Sequence, residues 1–168
     1  MPTVIKPKEL KYKTDENALP QFQLQTLMPR LYKQVDSKNL IFDIRLLEPG
    51  KYSFPYHFHR YAEELIVIFS GTATLRYSEG LKVIEQGDII FFEMGETSVH
   101  QLFNHSNSPC TYLDIRTSIG FDVTEYPDSG KINIFPNHGI FDKNTIVSYN
   151  KGEENVENIW EQLLNKQK

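Results

Sequence analysis

A chain of 168 residues, 39% hydrophobic and 12% aromatic, is the length of one domain and carries enough apolar surface for a core, which argues against disorder along its whole length. Its net charge of −4 lacks the basic excess that a nucleic-acid partner calls for. No apolar run approaches the roughly 18 residues of a membrane span, so no membrane partner is expected either. The opening residues, Met1 to Lys8, lack the apolar stretch of a secretory signal, and Cys110 is the single cysteine, so no internal disulfide framework is available. A lone thiol fits a reducing cytoplasm, the expected location, and Cys110 reads as a small, half-buried strand residue.

In chain order, residues 1–20 are polar, contain Pro2, Pro7 and Pro20, and read as an N-terminal arm. From Pro20 onward Phe22, Leu24 and Thr26 alternate with Gln21, Gln23 and Gln25, the period of a half-buried strand. The centre is a series of short β-rich runs: 40–47, 65–69, 72–77, 81–84, 89–92, 98–103 and 111–117. Gly, Pro, Asn and Ser punctuate them at Glu48-Pro49-Gly50, Ser70-Gly71, Ser78-Glu79-Gly80, Gln86-Gly87, Met94-Gly95, Asn104 and Ser108-Pro109. Short strands at such spacing predict an all-β sandwich or barrel over residues 21–120. Residues 121–168 form an extension. It carries the turn-rich Tyr126-Pro127-Asp128-Ser129-Gly130, short β-like runs at 131–135 and 145–149, and a helix over 153–166. Val156, Ile159, Trp160, Leu163 and Leu164 make one apolar stripe on that helix, expected to pack on the barrel or on a partner subunit.

The chemistry-bearing residues fall in two clusters that hold three of the five histidines. The first runs from Gly50 through His57-Phe58-His59 to Glu63-Glu64 and Gly71. The second runs from Gly87 through Gly95 to His100 and Asn104. Residues i and i+2 of a strand share a face, so His57 and His59 project side by side, while Glu63 and Glu64 face opposite ways. Imidazoles with one carboxylate suit a divalent first-row metal and leave coordination positions open for a ligand. His105 and His138 lie outside the clusters and read as surface or turn residues. Tyr56, Tyr61, Phe54 and Phe92 read as packing residues that could also border a pocket. Asp43 with Arg45, and Asp114 with Arg116, share strand faces and read as exterior salt bridges, with interior substrate contacts as the alternative.

Both clusters resemble the two motifs of the cupin superfamily, over roughly residues 38–117. The first motif is a Gly, His-x-His, three or four residues, a Glu, six residues and a Gly. The second is a Gly, five residues, Pro-x-Gly, a short gap, a His, three residues and an Asn. Carried over residue by residue, the resemblance implies His57, His59, Glu64 and His100 as metal ligands, with Asn104 ending the second motif. Glu64 is preferred to Glu63 because four residues precede it after His59 and six follow it before Gly71. Three departures are changes of loop length or turn residue: six residues between Gly50 and His57, Glu93 in place of the motif's Pro, and four residues between Gly95 and His100.

The chain is similar to small single-domain bacterial cupins of the conserved-barrel type, and its stretch 122–131 resembles their tails. The implied fold is all-β, a double-stranded β-helix (jelly-roll) barrel with an N-terminal arm and a short C-terminal α-helix. The implied cofactor is one divalent transition metal ion, Zn, Fe, Mn or Ni. The implied function is binding of, or action on, a small polar molecule at a centre of three histidines and one glutamate, by an isomerase or a dioxygenase. The alternative is a non-catalytic module for a sugar or carboxylate. Tyr56, Tyr61 and Glu93 are candidates for proton transfer by proximity in sequence, and a homodimer is expected, with the arm, residues 21–27 or the helix crossing to the partner.

Overall fold

A computed structural model describes residues 2–136 and 139–166; the reading of His138 falls outside them. The strands in chain order are β1 (Lys11–Thr14), β2 (Gln25–Met28), β3 (Leu40–Leu47), β4 (Phe58–His59), β5 (Glu64–Ser70), β6 (Thr72–Tyr77) and β7 (Gly80–Glu85). They continue as β8 (Ile89–Phe92), β9 (His100–Phe103), β10 (Cys110–Thr117), β11 (Asp122–Tyr126), β12 (Lys131–Phe135) and β13 (Gly139–Asp142). Two α-helices, α1 (Leu31–Gln34) and α2 (Val156–Asn165), and three single-turn 3-10 segments complete the described elements. The chain adopts the all-β jelly-roll barrel with a short C-terminal helix. No described helix is long and apolar enough to cross a membrane.

One six-stranded antiparallel sheet has the order β1-β2-β3-β10-β5-β8, and two smaller sheets have the orders β13-β12-β11-β4 and β7-β6-β9. Single bridges, His57 with His100 and Tyr52 with Phe103, tie further segments to β9. The strand period places Leu47, Ile68, Cys110 and Tyr112 inward. With Leu75, Ile84 and Leu102 they make the apolar core. Burying each large apolar side chain contributes about 1.5–3 kcal/mol. Cys110 is fully buried rather than half-buried, and burial pushes its thiol up to about 11. Gly71 turns β5 into β6 with φ +77°, and a Cβ there would stand 2.4 Å from the Pro109 carbonyl oxygen, so only glycine fits.

Several expectations shift. The strand expected from Phe22 begins only at Gln25, because Pro20–Phe22 forms a 3-10 turn with proline at its start. The arm contributes β1, which pairs with β2. Residues 145–149 are not a strand: β13 occupies the place beside β12, and Ile146 and Tyr149 are exposed. The helical stripe exists, but Val156, Ile159, Trp160, Leu163 and Leu164 are all exposed, so the barrel does not cover it.

Candidate functional site

Four short backbone arrangements bring the two sequence clusters together. His57 and His100 exchange backbone hydrogen bonds, N–H to O at 3.1 and 2.8 Å. His59, in β4, pairs with Thr124 of β11, and its carbonyl accepts from the Gly95 N–H at 2.8 Å. Glu64 opens β5, flanked across the sheet by Arg116 of β10 and Phe92 of β8. His57, His59, Glu64 and His100 are all buried, whereas Glu63 is exposed, as strand alternation requires.

Ligand-type atoms of His57, His59 and Glu64 all lie within 4.8 Å of one another. His100 stands outside that mutual group, but its Nε2 lies 3.5 Å from Glu64 Oε2, and His59 Nε2 lies 3.6 Å from the same oxygen. Each imidazole has its Nδ1 on an oxygen: His57 on the Pro55 carbonyl (2.8 Å), His100 on the Ser98 carbonyl (2.9 Å) and His59 on Asp122 Oδ2 (2.6 Å). A proton on each Nδ1 satisfies those acceptors and leaves Nε2 as a lone-pair donor, the usual way in which a metal-binding His is oriented. Glu64 Oε2 is the one buried side-chain polar atom among the described residues without a hydrogen-bond partner. An orphaned carboxylate oxygen costs free energy unless something cationic meets it. This donor set therefore fits a divalent transition metal ion.

Burial, followed by the neighbouring charge of His100, pushes His57 down to about 3, which keeps it neutral. Burial alone would push Glu64 up, but the combined pull of His100, His57 and His59 holds it below the usual carboxylate range. His100 moves the other way: burial is the largest single influence and opposes its protonation, but the Glu64 charge, the Ser98 carbonyl and Asp114 together outweigh it.

The cluster opens into a cavity of about 250 Å3, whose wall includes Arg30, Arg45, Asp114, Arg116, Tyr126 and Asn133. The acid–base pairs expected outside are thus inside. Asp43 is 0% exposed and Arg45 7%, and Arg45 Nε meets Asp114 Oδ2 at 3.0 Å. Mutual neutralisation is what admits these charges, with Asp43 also accepting from Arg30 Nε at 2.6 Å and the Leu31 N–H at 2.9 Å. Tyr56, Tyr61 and Glu93 are not among the cavity-lining residues. Tyr56 lies under the Arg76 guanidinium, Tyr61 is exposed beside Phe121, and Glu93 accepts from Thr97. Phe92 is a packing residue, stacked on the His100 ring, whereas Phe54 both packs on the core and lines the cavity. His105 is a surface residue bonded to Thr74.

Residues 44–116 match the family model of the cupin domain. The chain carries a cupin domain. Among solved structures it is similar to a cupin-superfamily sugar phosphate isomerase from Silicibacter pomeroyi, with 18% identity and TM-score 0.74 over 88% of this chain and 98% of that one. It is also similar to a candidate sugar phosphate isomerase from Acidithiobacillus ferrooxidans, with 26% identity and TM-score 0.66 over 74% and 80% of the two chains. A predicted oxalate decarboxylase from Thermotoga maritima shares 19% identity, with TM-score 0.59 over 70% and 100%. No curated protein matches the chain.

In this cupin barrel Asn104 is structural. It is fully buried, donates to the Leu47 and Ser108 carbonyls at 2.7 and 2.9 Å and accepts from Ser106, so it shapes the loop after β9. Sequence reasoning missed Arg30, Tyr126 and Asn133, which sit outside the motif-bearing stretch or at its edge. Strand parity is the signal that could have placed Arg116 inside, since it is cross-strand to Glu64.

Proposed function

We propose that this cupin barrel holds one divalent transition metal ion on His57, His59, Glu64 and His100 and acts on a small polar molecule, with isomerisation as the reaction class. The observation that carries this reading is the orphaned Glu64 oxygen among imidazoles whose Nδ1 atoms are already committed, at the floor of a charged cavity. A bound ion would supply Lewis acidity. Isomerisation moves a proton between neighbouring atoms, so it needs a titratable side chain at the ligand. Asp114 and Tyr126 line the cavity; burial, and then the Glu64 charge, raises Asp114, and burial raises Tyr126. The 26% identity to the Acidithiobacillus ferrooxidans structure supports isomerisation over the dioxygenase reading. One observation favours a non-catalytic binding module instead: the Asp114 carboxylate is already engaged by Arg45 at 3.0 Å.

Plasma mass spectrometry of untagged protein tests the reading. About one transition metal per chain is expected in wild type and little in His59→Ala, with wild-type content in His105→Ala. Iron as the native ion would move the reaction class toward oxygen chemistry. Equal metal in wild type and His59→Ala would sink the site.

The same barrel is proposed to pair with a second copy through the outer face of the six-stranded sheet. Across β3, β10, β5 and β8 that face carries two apolar rows in register, Ile44–Leu113–Val67–Ile89 and Phe42–Ile115–Leu65–Phe91. At about 5 Å between strands and 3.3 Å per residue, the two rows span on the order of 250 Å2 per chain. Doubled, that is about half of the roughly 1,000 Å2 a specific interface needs, so the N-terminal arm or α2 would have to supply the rest. A monomer by light scattering after size exclusion would overturn it.

A further inference from the structure

Three guanidinium groups line the cavity, and two of them are spoken for. Arg30 directs Nε and Nη2 at Asp43, at 2.6 and 2.5 Å. Arg45 directs Nε at Asp114 and Nη1 at the Thr26 hydroxyl, at 3.0 and 2.6 Å. These two cations and two carboxylates neutralise one another.

Arg116 is different. Its nearest carboxylate oxygen, Asp122 Oδ2, is 3.8 Å away and already bonded to His59 Nδ1 at 2.6 Å. Its Nη1 lies 3.2 and 3.4 Å from the two ring nitrogens of His59. The nearer one carries the proton given to Asp122, and two donors do not bond. The farther one is the nitrogen that would face a metal ion. Nε and Nη2 of Arg116 make no hydrogen bond to a described residue. Strand register explains the placement: Arg116 stands opposite Glu64 in the β10–β5 pair, so both side chains enter the same interior.

We propose that Arg116 anchors an anionic group, a carboxylate or a phosphate of the ligand, beside the metal-binding residues. The inference rests on the metal reading above and adds the ligand's charge class and its docking residue. A guanidinium sharing one imidazole with a divalent ion is repelled by it, and an anion between them satisfies both cations. With Arg30 and Arg45 neutralised by Asp43 and Asp114, Arg116 and the ion together exceed the charges of Glu64 and Asp122 by one positive unit. The planar fork of donors matches either a carboxylate or a phosphate edge. A cavity of about 250 Å3 falls at the small end of ligand pockets. That suits a small metabolite rather than a nucleotide or a polymer.

The test is calorimetric titration of the metal-bearing protein with inorganic phosphate and, separately, with acetate, alongside metal analysis of every sample. Wild type should bind at least one probe, and which one it binds separates phosphate from carboxylate ligands. Arg116→Gln should weaken that binding about ten-fold or more while keeping wild-type metal content. Arg116→Lys, which keeps the charge and the fold but loses the fork, should fall between, and Arg76→Gln, at an exposed arginine outside the cavity, should match wild type. The inference is overturned if neither probe binds wild type, if Arg116→Gln and Arg116→Lys both bind as wild type does, or if only Arg30→Gln weakens binding. Loss of metal from wild type with Arg116-dependent anion binding retained would instead remove the metal reading and leave the anion site standing.

Discussion

The two faces of the six-stranded sheet reverse the usual arrangement of a half-solvated sheet. On β3 and β10 the inward positions are Asp43, Arg45, Asp114 and Arg116, while the outward ones are Phe42, Ile44, Leu46, Leu113 and Ile115. Antiparallel sheets that face water on one side normally put apolar residues in and polar residues out. Here the inversion is confined to one end of the barrel. Further along the same strands, Leu47, Cys110 and Tyr112 fill the inside with an ordinary core. The sheet thus does two jobs. Its inner face trades hydrophobic burial for a paired-charge cavity wall, and its outer face keeps an apolar surface of the kind a second layer covers.

The largest effect expected from breaking the inner face is at Asp43. It takes Arg30 at 2.6 Å and the Leu31 N–H at 2.9 Å, and lies 3.8 Å from Arg45, at zero exposure. Removing one partner of a buried charge network costs roughly 3–5 kcal/mol. Asp43→Ala should sit near about 3 kcal/mol in urea unfolding, because Arg30 is 30% exposed and can turn to water, and Arg45 keeps Asp114. A loss below about 1 kcal/mol would mean that the inner charges are solvated and the cavity wall is not a buried network.

That inner face is also where reading the sequence fell short, and the reason is physical. Period-two alternation identifies a strand, and β3, β6, β8 and β12 fall on the residues expected for them. Alternation does not say which of the two faces points inward. The rule that charges face water places Asp43, Arg45, Asp114 and Arg116 outside, and pairing within the barrel overrides it for the first three. The same effect hid β11: Asp122, Thr124 and Glu125 are buried polar residues that mimic a turn-rich stretch, yet Asp122 orients His59. The metal-type residues themselves were legible because their spacing, rather than their polarity, carries the signal. The stripe on α2 was legible as a stripe, but nothing in its period says what covers it.

Asp122, which opens β11 of the four-stranded sheet, yields a smaller, sharper effect. Its Oδ2 accepts the His59 Nδ1–H at 2.6 Å and its Oδ1 accepts the Tyr61 N–H at 3.1 Å, so it fixes both the tautomer and the angle of the ring. Carboxylates in this position typically contribute 10–100-fold to metal affinity. Asp122→Asn preserves the shape and should weaken metal binding by about that range in a chelator competition, with urea stability of the metal-free protein little changed. Unchanged metal affinity would show that His59 is oriented by β4–β11 pairing alone.

The outer face gives the smallest effect on the fold of a single chain, and that smallness is what makes it informative. Ile89 and Phe91 are 67% and 58% exposed, at the β8 edge of the apolar rows. Substituting a residue this exposed changes the stability of an isolated chain by only about 0.5 kcal/mol. A lysine covered by a sheet-on-sheet contact would instead be desolvated without a partner, which weakens the association. Ile89→Lys should therefore move light-scattering mass from dimer to monomer while leaving the unfolding midpoint of dilute protein almost where it was. If the dimer persists, the second layer lies elsewhere, and the exposed stripe of α2 becomes the next surface to substitute. If the dilute chain unfolds much more easily, the outer rows belong to the barrel's own stability, and the contrast between the two faces is weaker than their residues suggest.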